Sequence, residues 1–267
     1  MSDSPLASLA PGGSPGWQPV GDGVSGALVL RHERGDRFAK IVSSRRRAEL
    51  EAERDRVTWL ESTGLPGPKV LEWCDERGGF CLVTSAVPGL PAHELPPELF
   101  RRSWPAICEV VNQLHTIRSD RCPFDRVLLS MMALARAAVV ENRVHREFLP
   151  VKLQEVPPQD ILDQLEEELP LRLEQEAAES VVCHGDLCLA NIMIEPAAGE
   201  VSGLIDLGRL GRADPYADIA LLLTNSRESW ETEADAREAD ALFARHYGVD
   251  LDPARLRFYL WLDPLTW

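Results

Sequence analysis

Positive charge is scarce in this sequence. Its 267 residues hold 28 Lys and Arg against 43 Asp and Glu, a formal charge of −15. That balance repels phosphate backbones and anionic lipid, which argues against nucleic-acid and membrane partners. Long apolar runs are missing too: the longest aliphatic stretch, around residues 219–223, falls far short of a bilayer span. No basic, apolar, small-residue series opens the chain, so no secretory signal is read. The six cysteines (Cys74, Cys81, Cys108, Cys122, Cys183 and Cys188) show neither C-x-x-C pairing nor zinc-type spacing. The simple inference is a reduced, cytoplasmic protein.

What is present is ordinary for a soluble protein with a real core, at 45% hydrophobic and 27% charged residues. The length suits one compact domain of two lobes, or two small domains. Residues 1–16 are Ser/Pro/Gly-rich without periodicity and read as a disordered tail. Strands are expected at 27–30, 38–42, 69–73 and 80–84, with a helix between the second and third. Ser44 would cap that helix, and Gly64 with Pro66 would stop it. After Val87-Pro88-Gly89 the pattern turns helical, with candidates at 99–116, 128–141, 159–175, 215–223, 235–247 and 253–262. Short strands at 181–183 and 201–206 bracket a loop. Strands first and helices afterwards give an α+β class with two unequal lobes, a small β-rich one over 17–88 and a larger, mainly helical one over 89–267. A monomer is expected.

The strongest chemical signal is His184-Gly185-Asp186-Leu187-Cys188-Leu189-Ala190-Asn191, followed by Ile205-Asp206-Leu207-Gly208-Arg209. An Asp, four residues, an Asn and then a second Asp is the spacing of a kinase catalytic loop and metal loop. Three jobs need these groups. One carboxylate, assigned to Asp186, accepts a hydrogen bond from the attacking hydroxyl and aims its lone pair at phosphorus. An amide oxygen and a second carboxylate, Asn191 and Asp206, hold Mg²⁺ against a nucleoside triphosphate. The competing account makes Asp186 and Asn191 loop caps and Asp206 a turn former, but the combined spacing is hard to reach by accident.

Gly21-Asp22-Gly23-Val24-Ser25-Gly26 fits G-x-G-x-x-G. It runs into a strand rather than a helix, which favours a hairpin lid whose backbone N–H groups, at Gly21, Gly23, Ser25 and Gly26, approach phosphate; a plain flexible hairpin is the alternative. Lys40 sits where the third strand of such a lobe carries its phosphate-binding lysine. Glu53, on the helix, is its preferred partner by register, with Glu49 and Glu51 as rivals. The segment 84–87, with Ser85 and Val87, would be the hinge facing the adenine edge. His184 is expected to brace the catalytic loop and Asp218 to accept hydrogen bonds from its backbone. Arg209 either neutralises charge near Asp186 or pairs with Asp214. Trp59, Trp73 and Trp104 read as core.

These residues resemble the aminoglycoside phosphotransferases, which have the protein-kinase-like fold. The likeness rests on Val182-Cys183-His184-Gly185-Asp186 through Asn191, on 203–211 and on Ala213-Asp214-Pro215-Tyr216-Ala217-Asp218. It is strongest to the members acting on streptomycin, through Glu53-Arg54-Asp55-Arg56, Cys122-Pro123-Phe124 and the ending Phe258–Trp267. The resemblance implies phosphate transfer from ATP, with Mg²⁺, to the 3″-hydroxyl of streptomycin, and antibiotic resistance in a bacterial cytoplasm. It also implies that Asp263 and the carboxylate of Trp267 hold the drug's cations, with acids in 160–168 extending the cradle or simply facing water. Ala190 stands where many relatives have proline, and Leu207 where protein kinases have phenylalanine; neither change removes a catalytic atom.

The runner-up is a kinase for another small alcohol, such as choline, homoserine or a macrolide sugar. From a different class comes a catalytically silent kinase-like binding module, which should have lost one of Lys40, Asp186, Asn191 or Asp206. Nothing resembles the A-P-E element of a protein-kinase activation segment.

Overall fold

The computed structural model describes residues 10–11, 16–20, 26–76 and 78–267, without the Glu76 side chain. Five strands form an antiparallel sheet: β1 (Trp17–Pro19), β2 (Leu28–His32), β3 (Arg37–Ser43), β4 (Val70–Glu76) and β5 (Gly79–Ser85), in the order β1-β2-β3-β5-β4. Successive strand side chains point to opposite faces. One face of the sheet therefore gathers Leu30, Ala39, Ile41, Cys81 and Val83, and the other gathers Val42, Phe80 and Leu82 against Leu50 of helix α1 (Arg47–Thr63). Lys40 shares the second face with Val42, opposite Leu82. The strand period alone thus turns the lysine toward α1.

Helix α1 buries Leu50, Val57 and Leu60, a helical stripe that also carries Glu53. Gly64 ends it in the left-handed conformation at φ 84°. Ser44 does not cap it. A 3₁₀ turn, Ser44–Arg46, intervenes, and Arg46 occupies the cap position, where its side chain makes no capping bond to the helix N–H groups. The helix is tied to the other half of the molecule: Arg56 Nε donates to Leu210 O at 2.7 Å, and Trp59 Nε1 donates to Arg121 O at 3.1 Å.

The chain crosses at Gly89, whose φ is 107° and where a Cβ would lie 2.1 Å from Ile194 O. Only glycine fits there. Beyond it, β6 (Leu90–Pro91), β8 (Ile192–Glu195) and β9 (Glu200–Leu204) form a three-stranded sheet, and β7 (Val181–Cys183) pairs with β10 (Gly211–Ala213). The helices are α2 (Pro97–His115), α3 (Leu128–Val140), α4 (Pro158–Glu179), α5 (Tyr216–Ser226), α6 (Glu233–Tyr247) and α7 (Pro253–Leu262). Their apolar faces meet in one core containing Phe100, Trp104, Ile107, Tyr216, Phe243 and Phe258. Trp104 Nε1 donates to Ala239 O at 3.0 Å, which satisfies the one polar atom of that buried ring. This is the α+β protein-kinase-like fold, with a β-rich N-terminal part and a helical remainder. Among the described residues no helix is long and apolar enough to cross a membrane.

Two expectations need correction. The 1–16 segment is not all disordered tail: Ala10 is buried against the sheet, and the Trp17 indole donates to Pro11 O at 3.2 Å. The strand expected over 201–206 ends at Leu204, because Asp206 turns left-handed at φ 56°, ψ 60°. Strand β8, directly after the catalytic loop, is an element the sequence pattern did not reveal.

Candidate active site

A cavity of about 640 Å³ lies between the large sheet with α1 and the loops of the helical part, lined by Lys40, Glu53, Asp186, Asp206, Arg209 and Trp267 among others. That volume is of the size that takes a small molecule or cofactor. Lys40 Nζ stands 2.7 Å from Glu53 Oε2 and 3.1 Å from Asp206 Oδ1. Glu49, the rival on α1, pairs with Arg46, and Glu51 with Arg47. The triad bridges 166 positions of sequence, from β3 to the turn after β9.

Charge follows this geometry. Burial alone would lower the Lys40 pKa, but Glu53 and Asp206 outweigh it and hold the ammonium well above the usual lysine range. Burial also pushes Asp206 up, yet the charge and hydrogen bond of Lys40, with His184 and Arg209, hold its carboxyl below the ordinary value. For Glu53, burial pushes the carboxyl up against the opposing pull of Lys40, and the like charge of Asp206 adds to the rise.

The loop expected to be catalytic, residues 184–191, is over-determined by hydrogen bonds. Asp218, fully buried on α5, accepts the N–H groups of His184 at 2.6 Å and Gly185 at 2.8 Å. His184 Nδ1 accepts the Asp186 N–H at 3.3 Å while Nε2 donates to Ile205 O at 2.9 Å, so the imidazole joins the loop to the strand end before Asp206. Gly185, at φ 81°, packs so closely that a Cβ would lie 2.3 Å from Arg209 O. Asn191 spends its NH₂ group on Asp186, at 2.8 Å to the backbone oxygen and 3.2 Å to Oδ2. That leaves the amide oxygen, a hard ligand, as the atom for a metal. Asn191 and Asp206 together offer the oxygen donors that suit Mg²⁺.

Burial raises the Asp186 pKa, and the like charge of Asp263 raises it further, against His184 and Arg209. Such a carboxylate is a stronger hydrogen-bond acceptor than a solvated one. Asp263 itself is crowded. Arg209 Nη1 lies 3.5 Å and Arg126 Nη2 3.7 Å from its Oδ1, and the Trp267 indole donates to Oδ2 at 3.1 Å. The Arg209 guanidinium also covers the Trp267 ring, 3.5 Å from its centroid. Arg209 does not pair with Asp214, which is held instead by Arg255 through Nε and Nη2.

The remaining expected residues fall as follows. Gly21, Gly23 and Ser25 lie outside the described residues, and Gly26 enters β2 at φ 65°. The Ser85 N–H donates to Lys69 O at 2.9 Å, so this amide is spent on the sheet rather than open to a base edge; Val87 packs against Gly203. In 160–168, Glu166 pairs with Arg136, and Glu168 with Arg172 and Arg257, away from the cavity. Trp104 is core, while Trp59 and Trp73 are only partly buried, with Arg54 over the Trp73 ring. Arg126 escaped the sequence reading: it is buried behind Asp186 and touches Thr266, and its only local signal is its place just after Cys122-Pro123-Phe124.

Comparison with known proteins places this geometry. Residues 16–259 match the phosphotransferase enzyme family. The streptomycin 3″-kinase of Streptomyces griseus is 53% identical over 251 residues, covering 94% of this chain and 92% of that one. An aminoglycoside 3′-phosphotransferase of Streptomyces fradiae is 37% identical, covering 98% of this chain and 99% of its own. The solved structure of an aminoglycoside phosphotransferase, APH(3″)-Id from Streptomyces rimosus, in complex with ADP and streptomycin, superposes with a TM-score of 0.92 at 46% identity, over 98% of this chain and 97% of that one.

Proposed function

The chain belongs to the phosphotransferase enzyme family that contains the aminoglycoside kinases, and from that premise we propose that it moves the γ-phosphoryl group of ATP onto the 3″-hydroxyl of streptomycin. One observation carries the reading: Lys40, Glu53, Asp186 and Asp206 surround a single cavity in a chain this similar to a streptomycin kinase.

The residues divide the work by position. Residues 17–88 supply the nucleotide side, where Lys40, fixed by Glu53, faces the α- and β-phosphates; the glycine loop and the Ser85–Val87 connection belong to the same side. Residues 89–267 supply the acceptor side. Asn191 through its amide oxygen and Asp206 through its carboxylate hold Mg²⁺, which when bound supplies the positive charge that neutralises the triphosphate. Asp186 accepts the hydrogen bond of the incoming hydroxyl and takes up its proton as the oxygen–phosphorus bond forms and ADP departs. Its raised pKa suits that acceptance. Catalysis then rests on positioning and electrostatics, without a covalent enzyme intermediate.

The drug's cations approach where Asp263 and Trp267 lie beside Asp186. Because Arg126, Arg209 and the Trp267 indole already engage Asp263, an incoming guanidinium has to share that carboxylate. The proposed setting is the cytoplasm of a resistant bacterium.

The test is an assay of purified protein with Mg-ATP against streptomycin, kanamycin, choline and homoserine, with the phosphate located by NMR. Streptomycin 3″-phosphate is the expected product. Turnover of choline or homoserine alone would overturn the antibiotic assignment.

A further inference from the structure

Behind the catalytic loop runs a chain of polar groups that no step above uses. Tyr247, the last residue of α6, places its hydroxyl 2.7 Å from His115 Nδ1. His115, the last residue of α2, places Nε2 3.2 Å from Asp218 Oδ2. Asp218 in turn holds the His184 and Gly185 N–H groups. The His115 and Asp218 side chains are 2% and 0% exposed, so each polar atom must be satisfied from within the protein.

Burial pushes the Tyr247 phenol up, so it keeps its proton and has one to give. A phenol donating to Nδ1 fixes the imidazole proton on Nε2, which then points at the carboxylate. Burial alone would raise Asp218, but the hydrogen bond from His115, with the Gly185 N–H, holds it below the ordinary value. Every donor along the line therefore meets an acceptor, ending on an ionised carboxylate. His115, Cys183 and Asp218 also offer potential metal-ligand atoms within 4.8 Å of one another. Those atoms are engaged already: Cys183 Sγ donates to Asp214 O at 3.4 Å, and His115 and Asp218 serve each other and the loop. Hydrogen bonding accounts for the cluster without an ion.

We propose that His115 and Tyr247 are positioning residues for phosphoryl transfer, acting through Asp218 on the Gly185 turn and so on the direction of Asp186. The inference rests on the function proposed above. Its physical basis is the tightness of that turn, where a Cβ would meet Arg209 O at 2.3 Å. A carboxylate that loses its lateral support can shift only by moving the loop with it, and small displacements at a reacting centre cost rate steeply.

The experiment uses Tyr247→Phe, His115→Leu and His115→Gln in the full chain, with kcat, KM for both substrates, urea midpoints and the imidazole ¹⁵N spectrum. Tyr247→Phe and His115→Leu are expected to lower kcat about tenfold or more while KM for ATP stays within about twofold. His115→Gln keeps an N–H near the Nε2 position and should recover most of the loss. In the parent, the His115 spectrum should show a protonated Nε2 and a bare, hydrogen-bonded Nδ1. Unchanged kcat in folded Tyr247→Phe, an imidazole protonated on Nδ1 alone, or a glutamine variant as slow as the leucine one overturns the proposal. Should His115→Leu fail to fold, the Tyr247→Phe and His115→Gln comparison decides. If streptomycin is not a substrate at all, the function falls separately. The imidazole spectrum and the hydrogen-exchange protection of the His184 and Gly185 amides, expected to drop in Tyr247→Phe, then decide the relay on their own.

Discussion

Replacing Lys40 with Met tests the electrostatics of the cleft most directly. The ammonium sits 2.7 Å from Glu53 and 3.1 Å from Asp206, with side-chain exposures of 21%, 14% and 51% respectively. At an effective dielectric of about 20, those contacts are worth about 6 and about 5 kcal/mol of Coulomb attraction. Burying the ammonium offsets several kcal/mol, and the half-exposed Asp206 is screened by water. A net loss of about 3 kcal/mol is therefore expected, because the substitution leaves two carboxylates facing each other without a cation. The sign with pH follows. Glu53 loses the largest influence opposing its burial and keeps only the weaker one of Arg56, so its folded-state pKa moves further above the unfolded value. The folded state then binds a proton that the unfolded state releases, and the deficit shrinks as pH falls through the raised value. Urea unfolding of parent and variant at about pH 8 and about pH 5.5 should show the gap narrowing by roughly half at the lower pH. Transfer activity should fall about 10²–10³-fold. A gap that is absent, or equal at both pH values, would refute the reasoning.

Asp186→Asn keeps the shape but removes the proton acceptor; kcat should drop about 10²–10⁴-fold while calorimetry finds ATP affinity little changed. Asp263→Asn removes a like charge from beside Asp186. In the role proposed for Asp186 the ionised form accepts the proton, so rate is lost as pH falls through its pKa and the acid limb of the kcat/KM profile should move to lower pH; a move upward would contradict the assignment. Gly89→Ala places a Cβ 2.1 Å from Ile194 O at φ 107°. A loss of more than about 1 kcal/mol is expected from the urea midpoint, with the far-UV spectrum unchanged.

Much of this architecture was legible because it is local. The spacing from Asp186 to Asn191 to Asp206 reports a loop and a hairpin, and alternation along β3 sends Lys40 to the face of α1, where helical register singles out Glu53. What stayed hidden depends on partners far away in sequence. Nothing around Arg126 announces that it lies beside Asp263, and nothing around Arg255 that it clasps Asp214. His115 and Tyr247, 132 positions apart, meet only because α2 and α6 pack together. Strand β8 was missed because Ile192-Met193-Ile194 is too short an apolar run to separate from the loop before it. Asp206 broke the expected strand through a left-handed backbone that its local sequence does not dictate. That the Ser85 amide donates to Lys69, sixteen positions upstream, also depends on strand pairing rather than on local sequence.

Helix α1 is bolted to the floor of the cleft by Arg56 and Trp59, yet it contributes the acid that grips the roof's lysine. The roof therefore cannot lift by tilting the sheet alone without prising an ammonium from its carboxylate. That contact makes the gap between the halves self-latching: nucleotide exchange has either to rupture a partly buried ion pair or to proceed by the sheet and α1 swinging together, shearing the helix off its carbonyl anchors instead.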